Sequence, residues 1–246
     1  MKSALLVSLI AVSGACVDQV EDNSDDTTTD VPRLAVNGKT PSMIIATTLD
    51  TAALTGAAIA PYTDTADRRS YLEYIAACAL DSTQSVSANG YTFVGAYGLA
   101  TGWTSGALSA SDRRWVSACV LARVNFFGVT LPISMRGSHA ALALDAGESG
   151  YTVQEGAYYG DIFGGSDIRR ACIGADKLAT PTVGNLTYRV CTVNAGNGVT
   201  SCSFAYDGEC ASTCTVGSNG YNACTDTSSN TWSEVIKVQI APPSSK

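Results

Sequence analysis

The chain has 246 residues, 46% of them hydrophobic, and a formal net charge of −7. That length can bury a sizeable core in one domain or two smaller ones. The acidic balance excludes a basic surface of the kind that holds nucleic acid.

Residues 1–15 follow the grammar of an export signal: Lys2 is the positive start, residues 4–12 are apolar, and Ser13, Gly14 and Ala15 form a small-residue cleavage zone. The apolar run is too short to span a membrane. Cys16 follows directly, as in bacterial lipoprotein signals, where the cysteine is acylated and becomes the first residue of the mature chain. Ser13 stands where that motif prefers leucine, so an ordinary cleavage site nearby is the alternative. Acyl chains, palmitate among them, contribute ~0.8 kcal/mol per buried CH₂, and several on Cys16 would hold the protein on a membrane. Val17 rather than Asp after Cys16 points to the outer membrane by the sorting rule of enteric bacteria.

Residues 16–36 accordingly read as a lipidated cysteine and an acidic, disordered tether. Asp18, Glu21, Asp22, Asp25, Asp26 and Asp30 occur there, with no base among residues 17–30 and little to bury. With those six acids and Lys2 set aside, 16 acidic and 14 basic residues remain, so the rest of the chain is near −2.

Residues 37–246 read as a single α+β domain: at least two amphipathic helices packed on a mainly antiparallel, disulfide-stapled β region. The first helix is expected over residues 66–80, with Leu72, Ile75, Ala76 and Ala79 on one stripe and Tyr71 and Cys78 beside it. The second is expected over residues 111–125, with Trp115, Val116, Cys119, Val120 and Val124 facing inward. One cysteine near each buried face makes a Cys78–Cys119 bridge possible. Both segments begin with "DRR", and "SDIRRAC" at residues 166–172 echoes it. Asp67 and Asp112 suit a helix N-terminus. Arg68, Arg69, Arg113 and Arg114 oppose the dipole there and are expected to answer carboxylates elsewhere, an anionic-ligand site being the alternative.

Strands are expected in the stretches beginning at Tyr91, Gly128, Asn185 and Trp232, with Pro132 marking an edge strand or a break. Helices in front and strands behind, without βαβ alternation, argue for α+β. Residues 184–240 could form a cysteine-rich β subdomain.

Nine cysteines is an odd number for an exported chain. Lipidation of Cys16 leaves Cys78, Cys119, Cys172, Cys191, Cys202, Cys210, Cys214 and Cys224, enough for four disulfides. Turn-rich loops between Cys202 and Cys210 and between Cys214 and Cys224 suggest those two pairs. Five of the eight lie in residues 184–240, so at least one bond must cross out of that region. No C-x-x-C pair occurs, so no metal is expected. The glycines lack the context of a phosphate loop, so no cofactor is expected either.

"DRRSYLEYIAACAL", "GLATGW", "SDRRWVSACVLARVNFFGVTLPISMRG" and "YTVQEGAYYGDIFG" resemble the landmarks of a family of predicted exported proteins and lipoproteins typical of myxobacterial genomes. The likeness runs from about Asp64 to near the C-terminus. It implies export and a recurring fold, and it supplies no activity or catalytic residues to carry over.

Few residues suit catalysis. His139 is the only histidine and lies beside Ser138, with no G-x-S-x-G elbow, and reads as a solvated loop residue. Cysteines that pair evenly leave no thiolate nucleophile. Glu155 and Asp161 lie among Tyr151, Tyr158, Tyr159 and Phe163. Two carboxylates beside aromatic rings are what glycan hydrolysis uses, and the rings alone could stack on sugars. Packing aromatics, with Glu155 paired to an arginine, is the plainer reading. The sequence therefore reads as a cell-envelope lipoprotein with a structural or ligand-binding domain and an envelope glycan or protein as possible partner. The alternatives are a glycan hydrolase using Glu155 and Asp161, or a carbohydrate-binding module.

Overall fold

The computed structural model describes residues 38–45, 47–128, 130–165, 167–176 and 202–242, all within one compact unit, Val31–Lys246. The signal, Cys16, the tether, the stretch beginning at Asn185 and Cys191 lie outside the described residues.

Side-chain caps fix where the helices begin. A single turn, α1 (Gly56–Ile59), precedes α2 (Ala66–Ala79), whose N-cap Thr65 accepts from the Arg68 amide and whose first turn holds Asp67. In α3 (Ala110–Arg123), Ser109 and Asp112 close a reciprocal capping box. α2 buries one broad face, from Ser70 to Ala79, with Glu73 exposed. α3 differs from the expected stripe: every residue from Trp115 to Arg123 is buried. The helix packs against α2 on one side and the main sheet on the other, so no face of its second half meets solvent.

The sheets follow from turns and chain reversals. β1 (Ser85–Ala88) and β2 (Tyr91–Val94) form a hairpin closed by Asn89 and Gly90, both at positive φ, as a two-residue turn demands. β3 (Ser134–Arg136) starts just after Pro132 and is an edge strand. It belongs to a five-stranded sheet of order β3-β10-β4-β5-β6, where β4 is Val153–Asp161, β5 Ile168–Ile173, β6 Ala205–Glu209 and β10 Ile236–Ile240. All neighbours are antiparallel except β5 and β6. A one-turn helix, α4 (Cys210–Thr213), leads into a three-stranded sheet of β7 (Cys214–Gly217), β8 (Gly220–Thr225) and β9 (Thr231–Trp232).

The five-stranded sheet is covered on both faces. Tyr158, Ile236, Val238 and Ile240 join the large core with the helices, whereas Ala157, Tyr159, Cys172, Cys210, Tyr221, Cys224, Trp232 and Val235 form a second core. The chain is thus a disulfide-stapled α+β fold. Among the described residues of the cysteine-rich end, β6 and β10 are strands of the main sheet.

Three disulfides join described cysteines: Cys78–Cys119, Cys172–Cys210 and Cys214–Cys224. The first staples α2 to α3, and the third closes the β7–β8 hairpin, both as expected. The second corrects the pairing of Cys210 with Cys202. Cys210 instead reaches across to β5, supplying the bond that had to cross regions. Cys202 is also disulfide-bonded.

The Cys78–Cys119 bond spans 41 residues of sequence, which in the chain-entropy account stabilises by about 4 kcal/mol. Replacing both cysteines by serine should therefore lower the denaturation midpoint by a corresponding amount without changing the far-ultraviolet circular dichroism, and an unchanged midpoint would contradict that account.

Candidate functional site

β4 runs through the middle of the fold, and its position decides the carboxylate question. Glu155 and Asp161 sit at opposite ends of this strand, six residues apart, which is roughly 20 Å at strand rise. Glycosidase carboxylates stand within ~5 to 9.5 Å of each other. The two acids are therefore not brought together, and both are buried.

Glu155 is the extra residue of a bulge, since Val238 faces Gly156 and Gln239 faces Gln154. Its carboxylate accepts from the Tyr158 hydroxyl at 3.3 Å. Asp161 follows Gly160, which has a φ of +141° and lies so close to the Ile168 carbonyl that a Cβ would collide. The Asp161 carboxylate accepts from the Phe163 amide at 3.0 Å and pairs with Arg113 at 3.3 Å. Each acid thus has partners within the fold.

The aromatic candidates are packing groups. Tyr158, Tyr159 and Phe163 are buried, the first edge-on to Phe204 and the third edge-on to Trp103. Tyr151 is half-buried, and its carbonyl accepts from Arg136 at 2.8 Å. A sheet covered on both faces leaves these rings no common exposed surface for stacking on a sugar.

His139 is not simply solvated. Half-buried, it caps a short turn through Nδ1, which accepts from the Ala141 amide at 3.1 Å, and its ring meets Trp115 edge-on. Neutral imidazole with Nδ1 so engaged carries its proton on Nε2, so neither nitrogen offers a free lone pair for general-base work. Burial lowers its pKa, partly offset by Asp112.

The paired arginines answer carboxylates at most positions. Arg113 bridges Asp50 and Asp161, at 3.2 and 3.3 Å. Arg114 holds Glu234 with two hydrogen bonds of 2.7 and 3.1 Å, and Ser111 adds a third at 2.8 Å. Burial alone would raise the Glu234 carboxyl, but these donors hold it low. Arg68 pairs with exposed Asp64. Arg69 instead donates to the Thr63 carbonyl and lies over the Tyr91 ring.

The third echo, in "SDIRRAC", lies on a strand and organises the most polar part of the interior. Arg170 on β5 meets Asp207 at 2.6 Å and Asp226 at 3.2 Å, both carboxylates being buried. The Asp226 contact is an ion pair without hydrogen-bond geometry, since Arg170 Nε has no such partner. Asp207 also accepts from the Tyr159 hydroxyl and the Thr227 amide, each at 2.9 Å. Burial, with Asp207 alongside, pushes the Tyr159 phenol up. Asp226 accepts from Trp232 Nε1 at 3.0 Å, from the Ser228 amide, and from both nitrogens of Asn230. Burial opposes its ionisation, but Trp232 and Asn230 prevail and bring its pKa to about 2.

A cleft of about 430 Å³ opens over this network. Its walls include Ser212, Thr213, Thr215 and Thr227, with Asp207 and Asp226 at its lining and Cys214 on one side. Hydroxyls and backbone can bind a polar group there, while both acids are already engaged by donors.

Four sulfurs converge beside the same cleft. Cys172 Sγ lies 3.5 Å from Cys214 Sγ, so the Cys172–Cys210 and Cys214–Cys224 bonds touch. The sulfurs of Cys172, Cys210 and Cys214 all lie within 4.8 Å of one another. A thiolate set at that spacing would suit a soft metal, but disulfide-bonded sulfurs are not thiolate ligands. Spacing in the sequence gave no hint of this convergence, because Cys172 is 38 positions from Cys210.

No family model matches the chain, and no curated protein or solved structure matches it either. The geometry of the site stands on its own.

Because the Asp226 pKa is lower folded than unfolded, its contribution to stability is complete above about pH 4 and is lost as pH falls through about 2. Asp226→Asn should lower the melting temperature at pH 7 and flatten its decline between pH 4 and pH 2. A variant with the wild-type pH slope would remove Asp226 from this account.

Proposed function

We propose that this chain is an exported cell-envelope lipoprotein, held at the outer membrane through acylated Cys16. On this reading its domain is a structural or ligand-binding module that meets an envelope glycan or protein. The observation that carries the proposal is the state of the cysteines: all seven described ones are disulfide-bonded. Such bonds form and persist in oxidising compartments and are rare where thiols are kept reduced. The signal-like residues 1–15 and the resemblance to exported proteins support the same address. If Cys202 takes Cys191, the remaining cysteine is Cys16, where the lipoprotein motif needs it. None of the described helices is long and apolar enough to cross a membrane, and an acyl anchor would require none.

The binding half of the proposal rests on the hydroxyl-lined cleft over Asp207 and Asp226. Buried and bound by donors, these acids are suited to shaping the cleft rather than to moving protons.

Fatty-acid labelling and intact mass of the exported protein decide the anchor. Wild type is expected to carry acyl mass and no free thiol, Cys16→Ser to lose the acyl mass, and Cys191→Ser to expose one new thiol at Cys202. A wild-type mature chain without acyl mass, or a Cys16→Ser chain that gains a free thiol at Cys202, would overturn it.

A further inference from the structure

The two touching disulfides differ in what can reach them. Cys172, Cys210 and Cys224 are buried, whereas Cys214 is half-buried and forms part of the wall of the 430 Å³ cleft. Cys214 Sγ lies 3.5 Å from Cys172 Sγ and within 4.8 Å of Cys210 Sγ, so it is at reacting distance and, once freed from Cys224, has to rotate into line with the Cys172–Cys210 bond before it attacks. The Thr213 hydroxyl, 3.7 Å from Cys214 Sγ, donates to the Glu209 carbonyl at 3.0 Å and would have to turn from it to donate to a thiolate formed there. Cys210 and Cys214 stand at the two ends of one helical turn, so one sulfur can replace the other on Cys172 with little movement of the chain.

We propose that Cys172–Cys210 and Cys214–Cys224 form a disulfide relay that accepts electrons from a dithiol at Cys214 and releases Cys210 as the distal thiol. This goes beyond the envelope reading and does not depend on the anchor. A dithiol's first thiolate attacks Cys214 Sγ; a mixed disulfide forms, the Cys214–Cys224 bond breaks, and Cys224 leaves as a thiolate and takes a proton. The dithiol's second thiolate attacks its own sulfur in the mixed disulfide, closing the reductant's ring and releasing the Cys214 thiolate. Two electrons have then passed to the protein. In the last step the Cys214 thiolate attacks Cys172 Sγ; the Cys172–Cys214 bond forms, the Cys172–Cys210 bond breaks, and Cys210 leaves and is protonated. That step is an isomerisation without net oxidation. The product holds one disulfide, Cys172–Cys214, and two thiols, Cys210 and Cys224.

Cys78–Cys119, enclosed between α2 and α3, is the internal control. Oxidised full-length protein is treated with one equivalent of dithiothreitol, quenched in acid, alkylated and mapped by peptide mass. Labels on Cys210 and Cys224, with a Cys172–Cys214 cross-link and Cys78–Cys119 intact, are expected. Labels on Cys214 and Cys224 with Cys172–Cys210 intact would overturn the relay. In Cys224→Ser the unpaired sulfur needs no reductant: the free thiol should be found mainly at Cys210, and a thiol remaining at Cys214 would contradict the proposal. Finally, Cys214→Ser/Cys224→Ser should slow reduction of Cys172–Cys210 by on the order of 100-fold, since an intramolecular attack is lost. Reduction at the wild-type rate would overturn the relay. The wild-type titration decides the matter even if a variant does not fold.

Discussion

Burial of α3 on both sides is the constraint from which most of the architecture follows. A helix enclosed from Trp115 to Arg123 must satisfy each polar group it carries inward. Ser117 shows how: its hydroxyl donates to the Arg113 carbonyl one turn back and accepts from the Ile162 amide just past β4. Small residues at 117, 118 and 122 let α2 and the sheet approach closely. Arg123 is buried against the Tyr74 ring, 4.3 Å from its centroid, and donates to the Tyr74 carbonyl. Burial lowers its pKa, with Tyr97 and Tyr74 opposing. The same helix is cross-linked to α2 through Cys119.

From the outer end of that helix, Arg113 and Arg114 reach carboxylates drawn from distant parts of the chain: Asp50, Asp161 and Glu234. These pairs tie the N-terminal turn at Leu49–Thr51, the end of β4 and the segment before β10 to one helical turn. Partly buried ion pairs add modest net stability because desolvation offsets much of their attraction. Their geometric effect is larger, since an unpaired partner left in the interior would cost several kcal/mol. Arg170 does the equivalent work on the opposite face, where one guanidinium meets two aspartates. The surplus negative charge there is met by neutral donors: Tyr159, Trp232, Asn230 and three backbone amides.

The parts of this fold that were legible in the sequence are those governed by local rules. Helices α2 and α3 follow from periodicity and capping, and Cys78–Cys119 follows from one cysteine near each buried face. Pro132 marks a break in the stretch expected from Gly128, and the short strand that follows it is an edge strand. β4 was not legible because it is covered on both faces. "VQEGAYYGD" lacks polar alternation, contains two glycines, and shifts its facing at a bulge, so its acids and aromatic rings looked like a site. Nearness along an extended strand is misleading, since each residue adds about 3.3 Å. The pairing of Cys210 failed for the opposite reason. Short loops favour neighbours, but α4 turns Cys210 toward β5, a long-range contact that no local pattern encodes. Parity alone had required a crossing bond without saying which one.

The disulfides also divide by layer, and that division bears on what they do. Cys78–Cys119 lies in the large core, where packing from every side holds it, and its contribution follows from loop closure. Cys172, Cys210 and Cys224 belong to the small core of eight buried residues, with half-buried Cys214 packed against it. A core that small has little apolar area with which to fix the three-stranded sheet, so covalent bonds supply what burial cannot. Placing two such bonds in one small core brings their sulfurs into contact. The cleft beside Cys214 then gives solvent access to one end of the cluster. Stabilisation and exchange chemistry thus arise from the same shortage of core, and only the layer across the main sheet from α2 and α3 has both.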